Sequence, residues 1–163
     1  MNPASALVVV ESCWGNTATI GRTVADALRA EGIDVTVVSA QDAPEVVPAT
    51  VALLLIGAPT HNMGLPGPST RRIAATRGAP TTGPGVAEWI DQVRLDGTPQ
   101  ILPFDTHVSG FSGSAAKAIR RRLRTRRIDA RVGTGFLVAG EPPTLRPGET
   151  ERAAAWGAQL ARA

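Results

Sequence analysis

A chain of 163 residues is the size of one domain and long enough to bury a hydrophobic core. Its 43% hydrophobic and 19% charged residues are ordinary for a globular protein, and no apolar run approaches the roughly 20 residues that span a bilayer. The net charge of +3 hides an asymmetry: residues 117–131 hold eight of the 17 basic residues and one acid, leaving nine bases against 13 acids elsewhere. A high pI that comes from one local stripe is not by itself a nucleic-acid signature. The single Cys13 excludes an internal disulfide, and no charged segment precedes a long apolar stretch, which together point to the cytoplasm.

The chain alternates between two periods. Ala6–Val10 is a short β-branched run and predicts a strand buried on both faces. Ile20, Val24, Ala27 and Leu28 recur at helical spacing, with Asn16 or Thr17 to cap the start and Gly32 to end it. Val35–Val38 predicts a second strand, and "QDAPEVVPA" leaves room for one helical turn. Val51–Ile56 is the most apolar strand. A short helix is expected over Pro68–Thr76, then a loop, "RGAPTTGPG", then a helix over Val86–Val93. Ile101–Phe104 reads as a fourth strand, and Ser114–Arg127 as a helix facing inward with Ala116, Ile119 and Leu123. Val132–Val138 reads as a fifth strand, "GEPPTLRPGE" as a loop, and Glu149–Ala161 as a last helix facing inward with Ala153, Trp156 and Leu160.

Strands alternating with helices favour parallel strands joined by right-handed crossovers. The expectation is a single α/β domain over residues 1–163, an open five-stranded sheet with helices on both faces. In such sheets ligands sit beyond the carboxyl ends of the strands, where the strand order reverses. That rule selects three loops.

In the first, "ESCWGNTATIG", a strand feeds a helix through Ser, Gly, Asn and Thr. Free backbone N–H groups, hydroxyls and the positive end of a helix dipole suit an anion, typically phosphate. No lysine follows, so the loop is not the triphosphate-binding G-x-x-x-x-G-K-[ST], and a monophosphate held by neutral donors fits better. The second, "GAPTHNMGLPGPST", combines rigid prolines with glycines that let backbone approach a flat ligand. His61, Asn62 and Met63 give it a polar edge and a polarizable face. The third, "FDTHVSGFSGSA", places Phe111 among serines and glycines, where a purely structural ring is poorly housed. Glu11 and Asp105 end strands beside the expected phosphate site, so they are expected to point away or hold loops.

Together the three loops resemble those of the flavodoxin-like family, over most of the chain. The flavodoxin phosphate loop reads hydroxyl-x-Thr-Gly-Asn-Thr; Ser12, Gly15, Asn16 and Thr17 match it, and Trp14 replaces the middle threonine. The flavodoxin domains of flavodiiron proteins have a similar Ser-x-aromatic-Gly-Asn-Thr. "GAPTHNMGLP" is similar to their second loop, Gly-x-Pro-Thr followed by Asn and Gly, and "FSG" at Phe111–Gly113 to their third. The resemblance implies a three-layer, doubly wound parallel sheet of order 2-1-3-4-5 that binds FMN non-covalently. It implies contacts from Ser12, Trp14, Gly15, Asn16 and Thr17, from Pro59, Thr60, His61, Asn62, Met63 and Gly64, and from Thr106, His107, Phe111, Ser112 and Gly113. Trp14 would wall the ribityl or ring side. There is no tyrosine in the chain, so the tyrosine usually stacked on the flavin is absent.

The implied function is electron transfer or a small flavin-dependent reduction, with electron transfer preferred to a stand-alone oxidoreductase. No residue qualifies as an acid–base catalyst, and no Cys/His/Asp/Glu spacing supports a metal site. The alternative is a flavodoxin-fold interaction or regulatory module that has lost FMN. The stripe Arg120–Arg127 reads either as a solvated helix face or as a docking surface for an acidic redox partner. No aromatic residues interleave its arginines, which argues against nucleic acid.

Overall fold

The computed structural model describes residues 5–80 and 83–163. Its strands are β1 (Ser5–Val10), β2 (Asp34–Ser39), β3 (Val46–Val47), β4 (Val51–Pro59), β5 (Arg94–Leu95), β6 (Gln100–His107), β7 (Gly135–Ala139) and β8 (Thr144–Leu145). Its helices are α1 (Asn16–Ala30), α2 (Pro68–Thr76), α3 (Val86–Gln92), α4 (Ala115–Thr125) and α5 (Glu149–Ala161), with a 3-10 turn at Ala40–Asp42. Among the described residues no helix is long and apolar enough to cross a membrane.

The period-two geometry of β1 divides the core into two layers around the sheet. Ala6, Val8 and Val10 pack with Ile20, Val24 and Leu28 of α1 and with Trp156 of α5. Leu7 and Val9 join Ile90 of α3 and Ile119 and Leu123 of α4 on the opposite face. Trp156 meets Phe104 edge-on at 5.9 Å, while Trp89 is buried with its indole N–H donating to the Pro44 carbonyl at 2.9 Å. Helix α1 ends as its sequence predicts: Gly32 adopts φ +85, and Gly32 and Ile33 donate to the carbonyls of Arg29 and Leu28.

The three-layer α/β arrangement is as expected, but the strand count is not. The sheet has six strands in the order β2-β1-β4-β6-β7-β8, in place of five in the order 2-1-3-4-5. The added β8 runs antiparallel to β7, pairing Leu145 with Val138 and Thr144 with Ala139. It lies inside "GEPPTLRPGE", where Gly140 at φ +94 helps turn the chain back. A two-residue strand carries too little alternation to be read from periodicity. The same holds for the small parallel sheet formed by β3 and β5.

Boundaries shifted where backbone pairing outlasts the apolar run. β4 and β6 continue to Pro59 and His107, which carries their ends further toward the cleft described below. The run expected from Val132 becomes a strand only at Gly135, although Arg131 and Gly133 already donate to the Ile101 and Pro103 carbonyls. The expected loop "RGAPTTGPG" contains Thr81 and Thr82, which lie outside the described residues.

One close approach fixes the registry of β4 and β6. Gly57 lies opposite Phe104, and a Cβ on Gly57 would overlap the phenyl ring, which is fully buried. Gly57→Ala is therefore expected to destabilise the fold by about 1–3 kcal/mol through overpacking. Urea titration would read this as a lowered midpoint; a wild-type midpoint would contradict the contact.

Candidate functional site

Strand order reverses at β1, which pairs with β2 on one side and β4 on the other. A cleft of about 630 Å³ opens beyond the carboxyl ends of β1, β4 and β6, within the range of small-ligand and cofactor sites. Ser12, Trp14, Asn16, Thr17, Pro59, Thr60, His61, Asn62, Thr106 and His107 line it, all of them residues the sequence singled out.

The first loop is built on Gly15, which takes φ +88 and serves as the N-cap of α1 without a capping side chain. The sequence suggested Asn16 or Thr17 as the cap, and neither serves as one. The turn at Gly15 instead brings the Ser12 hydroxyl over the helix end, where it accepts from the Ala18 N–H at 3.3 Å. Among the described residues the N–H groups of Asn16 and Thr17 have no hydrogen-bond partner. The Asn16 amide donates to the Pro143 carbonyl at 2.8 Å, and the buried Thr17 hydroxyl shares a 3.0 Å hydrogen bond with that of Thr106. Trp14 is half-buried against Cys13, Ala74 and Ala79, so one of its faces is packed while it also lines the cleft.

The second loop is a tight hairpin. His61 and Gly64 exchange backbone hydrogen bonds of 2.9 and 2.8 Å around Asn62 (φ 47) and Met63 (φ 69). Two consecutive positive φ values at non-glycine residues are uncommon and fit a type I′ turn. Thr60 ties this loop to the third: its N–H donates to the Thr106 carbonyl at 2.8 Å, and its hydroxyl accepts from the Ala115 N–H at 3.1 Å. Met63 and Gly113 form a backbone bridge so close that a Cβ on Gly113 would overlap the Met63 backbone. Phe111 is 95% exposed at the tip of the third loop. Phe111, Gly15, Met63, Gly64, Ser112 and Gly113 lie outside the cleft lining.

Two buried carboxylates hold the walls, as the sequence anticipated for Glu11 and Asp105. Glu11 accepts from the Arg71 guanidinium at 2.7 Å and from the Val86 N–H at 2.9 Å, joining α2 and α3 to the end of β1. Arg71 also pairs with Glu88 and donates to the Pro66 carbonyl. Burial alone would lower the Arg71 pKa, but the hydrogen bonds it donates to both glutamates outweigh it and raise it. Asp105 accepts from the Ser114 hydroxyl at 2.6 Å and the Ala116 N–H at 3.0 Å, which anchors the start of α4. Its other oxygen lies 2.8 Å from His107 Nδ1.

The thiol and the imidazole beside Trp14 are both neutral near pH 7. Burial, reinforced by Glu11, pushes the Cys13 thiol up to about 11, so it is not a thiolate nucleophile. Burial pulls the His61 pKa down, and His61 Nδ1 sits 3.1 Å from the Thr70 hydroxyl. Arg77 and Glu141 are the charged residues that join these neutral groups in the cleft lining.

Sequence reasoning missed one wall and part of another. Ser69, Thr70, Ile73 and Ala74 of α2 and Arg77 just past its end line the cleft, as do Gly140, Glu141 and Pro143 between β7 and β8. The signal for α2 was an isoleucine at helical spacing from hydroxyl residues, in a helix whose one buried residue is Ala74. Helix α2 owes its place less to apolar burial than to Arg71.

No family model and no curated protein matches this sequence. Solved structures do match. Flavodoxin 1 from Bacillus cereus is similar at 15% identity and TM-score 0.66, covering 97% of both chains. The flavodoxin of Streptococcus pneumoniae TIGR4 is similar at 19% identity and TM-score 0.64, over 98% of this chain and 99% of its own. Rubredoxin oxygen:oxidoreductase from Desulfovibrio gigas is similar at 18% identity and TM-score 0.57; the match covers 98% of this chain and 36% of that one. The chain has a flavodoxin-like fold.

The Arg71 network makes a sharp test. Arg71→Met leaves Glu11 buried without its cation and is expected to destabilise the protein by about 3–5 kcal/mol. Arg72→Met, at an exposed neighbour, should change little. The pH dependence follows in sign. Burial would raise the Glu88 pKa, but hydrogen bonds from Arg71 and the Gly85 N–H outweigh it and hold it below the ordinary 4.5. Its stabilisation is complete above that value and is lost as pH falls through the lower folded value. Urea midpoints measured from pH 6 to 3 should fall more steeply in the wild type than in Arg71→Met. Parallel profiles would contradict the pairing.

Proposed function

We propose that the cleft binds FMN non-covalently and that the protein serves electron transfer or a small flavin-dependent reduction. The observation that carries this reading is the pair of unpartnered N–H groups, Asn16 and Thr17, at the positive end of a helix lining a cleft of about 630 Å³. That arrangement suits a phosphate. The residues present fit the rest of the cofactor. Ser12 still has a hydroxyl proton to donate, since its oxygen accepts from Ala18. Trp14, Ile73, Val108 and Val138 give the cleft apolar surface for a flat ring. Bound there, the isoalloxazine would supply the electron chemistry, while the protein positions it and sets its surroundings. Ser12 and the Gly15–Thr17 backbone would hold the phosphate; Trp14, the Pro59–Gly64 loop and the Thr106–Gly113 loop would flank the ring. A lone buried thiol suits a reducing, cytoplasmic compartment.

The alternative, an interaction module without FMN, has one observation in its favour. The Asn16 amide and the Thr17 hydroxyl, both expected to face a phosphate, are engaged within the protein.

Purification separates the two readings: a yellow protein showing the bands of oxidised flavin supports FMN, and a colourless one that takes up none on reconstitution supports the module. The phosphate assignment has its own test. Ser12→Asp keeps an acceptor for the Ala18 N–H, since aspartate is a good cap. It also sets a carboxylate against the phosphate. Two unit charges about 4 Å apart near a protein surface repel by about 4 kcal/mol, so FMN affinity should fall at least about a hundredfold. Riboflavin affinity should barely change. Equal losses for both ligands would move the phosphate elsewhere.

A further inference from the structure

The exposed large hydrophobic residues among those described are Met63, Ile73, Val108 and Phe111, and all four belong to the cleft's surroundings. Ile73 and Val108 line it, while Met63 and Phe111 stand on the two loops joined at Gly113. Phe111 at 95% exposure and Met63 at 66% contribute nothing to the core. Apolar side chains gathered around one opening mark an interaction site more than scattered ones do.

The charges beside this rim are mostly basic. The stripe on α4 divides into two groups. Arg122 grips Asp91 of α3 with two hydrogen bonds of 2.8 and 2.7 Å, and Arg126 donates to the Ile90 and Val93 carbonyls at the end of α3. These two tie α4 to α3. Lys117, Arg120, Arg121 and Arg124 recur at i, i+3, i+4 and i+7, are exposed, and form no ion pair among the described residues. They face away from Ala115, Ala116, Ile119 and Leu123, on the helix that starts directly after the Phe111 loop. Across the cleft, α2 adds exposed Arg72, the residue after it adds exposed Arg77, and Glu141 is the acid that lines the opening on the β7–β8 side.

We infer that this rim and the outer face of α4 form one docking surface for a small acidic electron-carrier protein, whose carboxylates surround an apolar patch. The inference rests on the proposed redox role of the cleft. The cations speed and orient the encounter, and the apolar rim excludes water at its centre. An unpartnered basic face would repel a second copy of this chain, which disfavours self-association there.

Backbone NMR of the ¹⁵N-labelled protein, titrated with an acidic [2Fe–2S] ferredoxin, tests this. Basic cytochrome c serves as the control of opposite charge. Shifts are expected at Met63, at residues 108–113 and along residues 117–124 with the ferredoxin and not with the cytochrome. Affinity should weaken about tenfold or more as the screening length drops from about 30 Å at 0.01 M salt to about 8 Å at 0.15 M. Arg121→Glu with Arg124→Glu should weaken it by a similar factor, and Phe111→Ser should weaken it without altering the salt dependence. Equal binding of the cytochrome, no shifts on this face, or indifference to the double reversal would overturn the inference. So would concentration-dependent shifts on the same face with no ferredoxin present, which mean self-association. Binding is read on the protein as purified, whatever its colour. Failure of the flavin reading is therefore registered by absorption and failure of the docking surface by the shifts.

Discussion

Everything at the open end of this sheet depends on a buried carboxylate paired with one arginine. Glu11 ends β1, the strand at which the order reverses, and is almost wholly inaccessible. Left alone there, its charge would be strongly destabilising. Arg71 and the Val86 N–H compensate it, and through them α2 and α3 are fixed to the central strand. Asp105 does the same for α4 through Ser114 and Ala116. Both carboxylates are turned to the loops they hold and are bound up in protein contacts. Neither is directed at the end of α1, whose Asn16 and Thr17 N–H groups have no partner among the described residues.

This division explains which expectations the sequence supported. The layers were legible because Ala6–Val10 and the Ile20–Val24–Leu28 series carry strong periods, and burial is what those periods report. The mouth of the cleft was legible in part, because Ser12, Gly15 and Thr17 sit where a strand meets a helix. The α2 wall was not. A helix held by Arg71 and burying only Ala74 leaves almost no hydrophobic pattern, and a pairing across 60 residues of sequence has no local signature. β8 was missed for a related reason, since two paired residues cannot establish a period.

Side-chain roles were harder to read than positions. Asn16 and Thr17 line the cleft, yet their side chains join it to the β7–β8 loop and to β6, and their backbone N–H groups have no partner among the described residues. Phe111 reads as a ring near a ligand, but it is almost wholly exposed on the loop that leads into α4. The arginine run looked uniform; hydrogen bonds assign Arg122 and Arg126 to packing against α3, while Arg120, Arg121, Arg124 and Arg127 form no ion pair among the described residues. In each case composition set the type of residue, and three-dimensional neighbours decided its task.

The central claim is that the amino end of α1 receives a phosphate carried by a flavin. The most direct measurement is a titration of the ¹⁵N-labelled protein with FMN, following backbone amides. The account expects saturable shifts, largest at the Asn16 and Thr17 amides and accompanied by the Trp14 indole signal. Riboflavin should move the indole while leaving the two amides nearly in place. Saturating FMN that leaves Asn16 and Thr17 unshifted, or shifts centred on another part of the sheet, would contradict it.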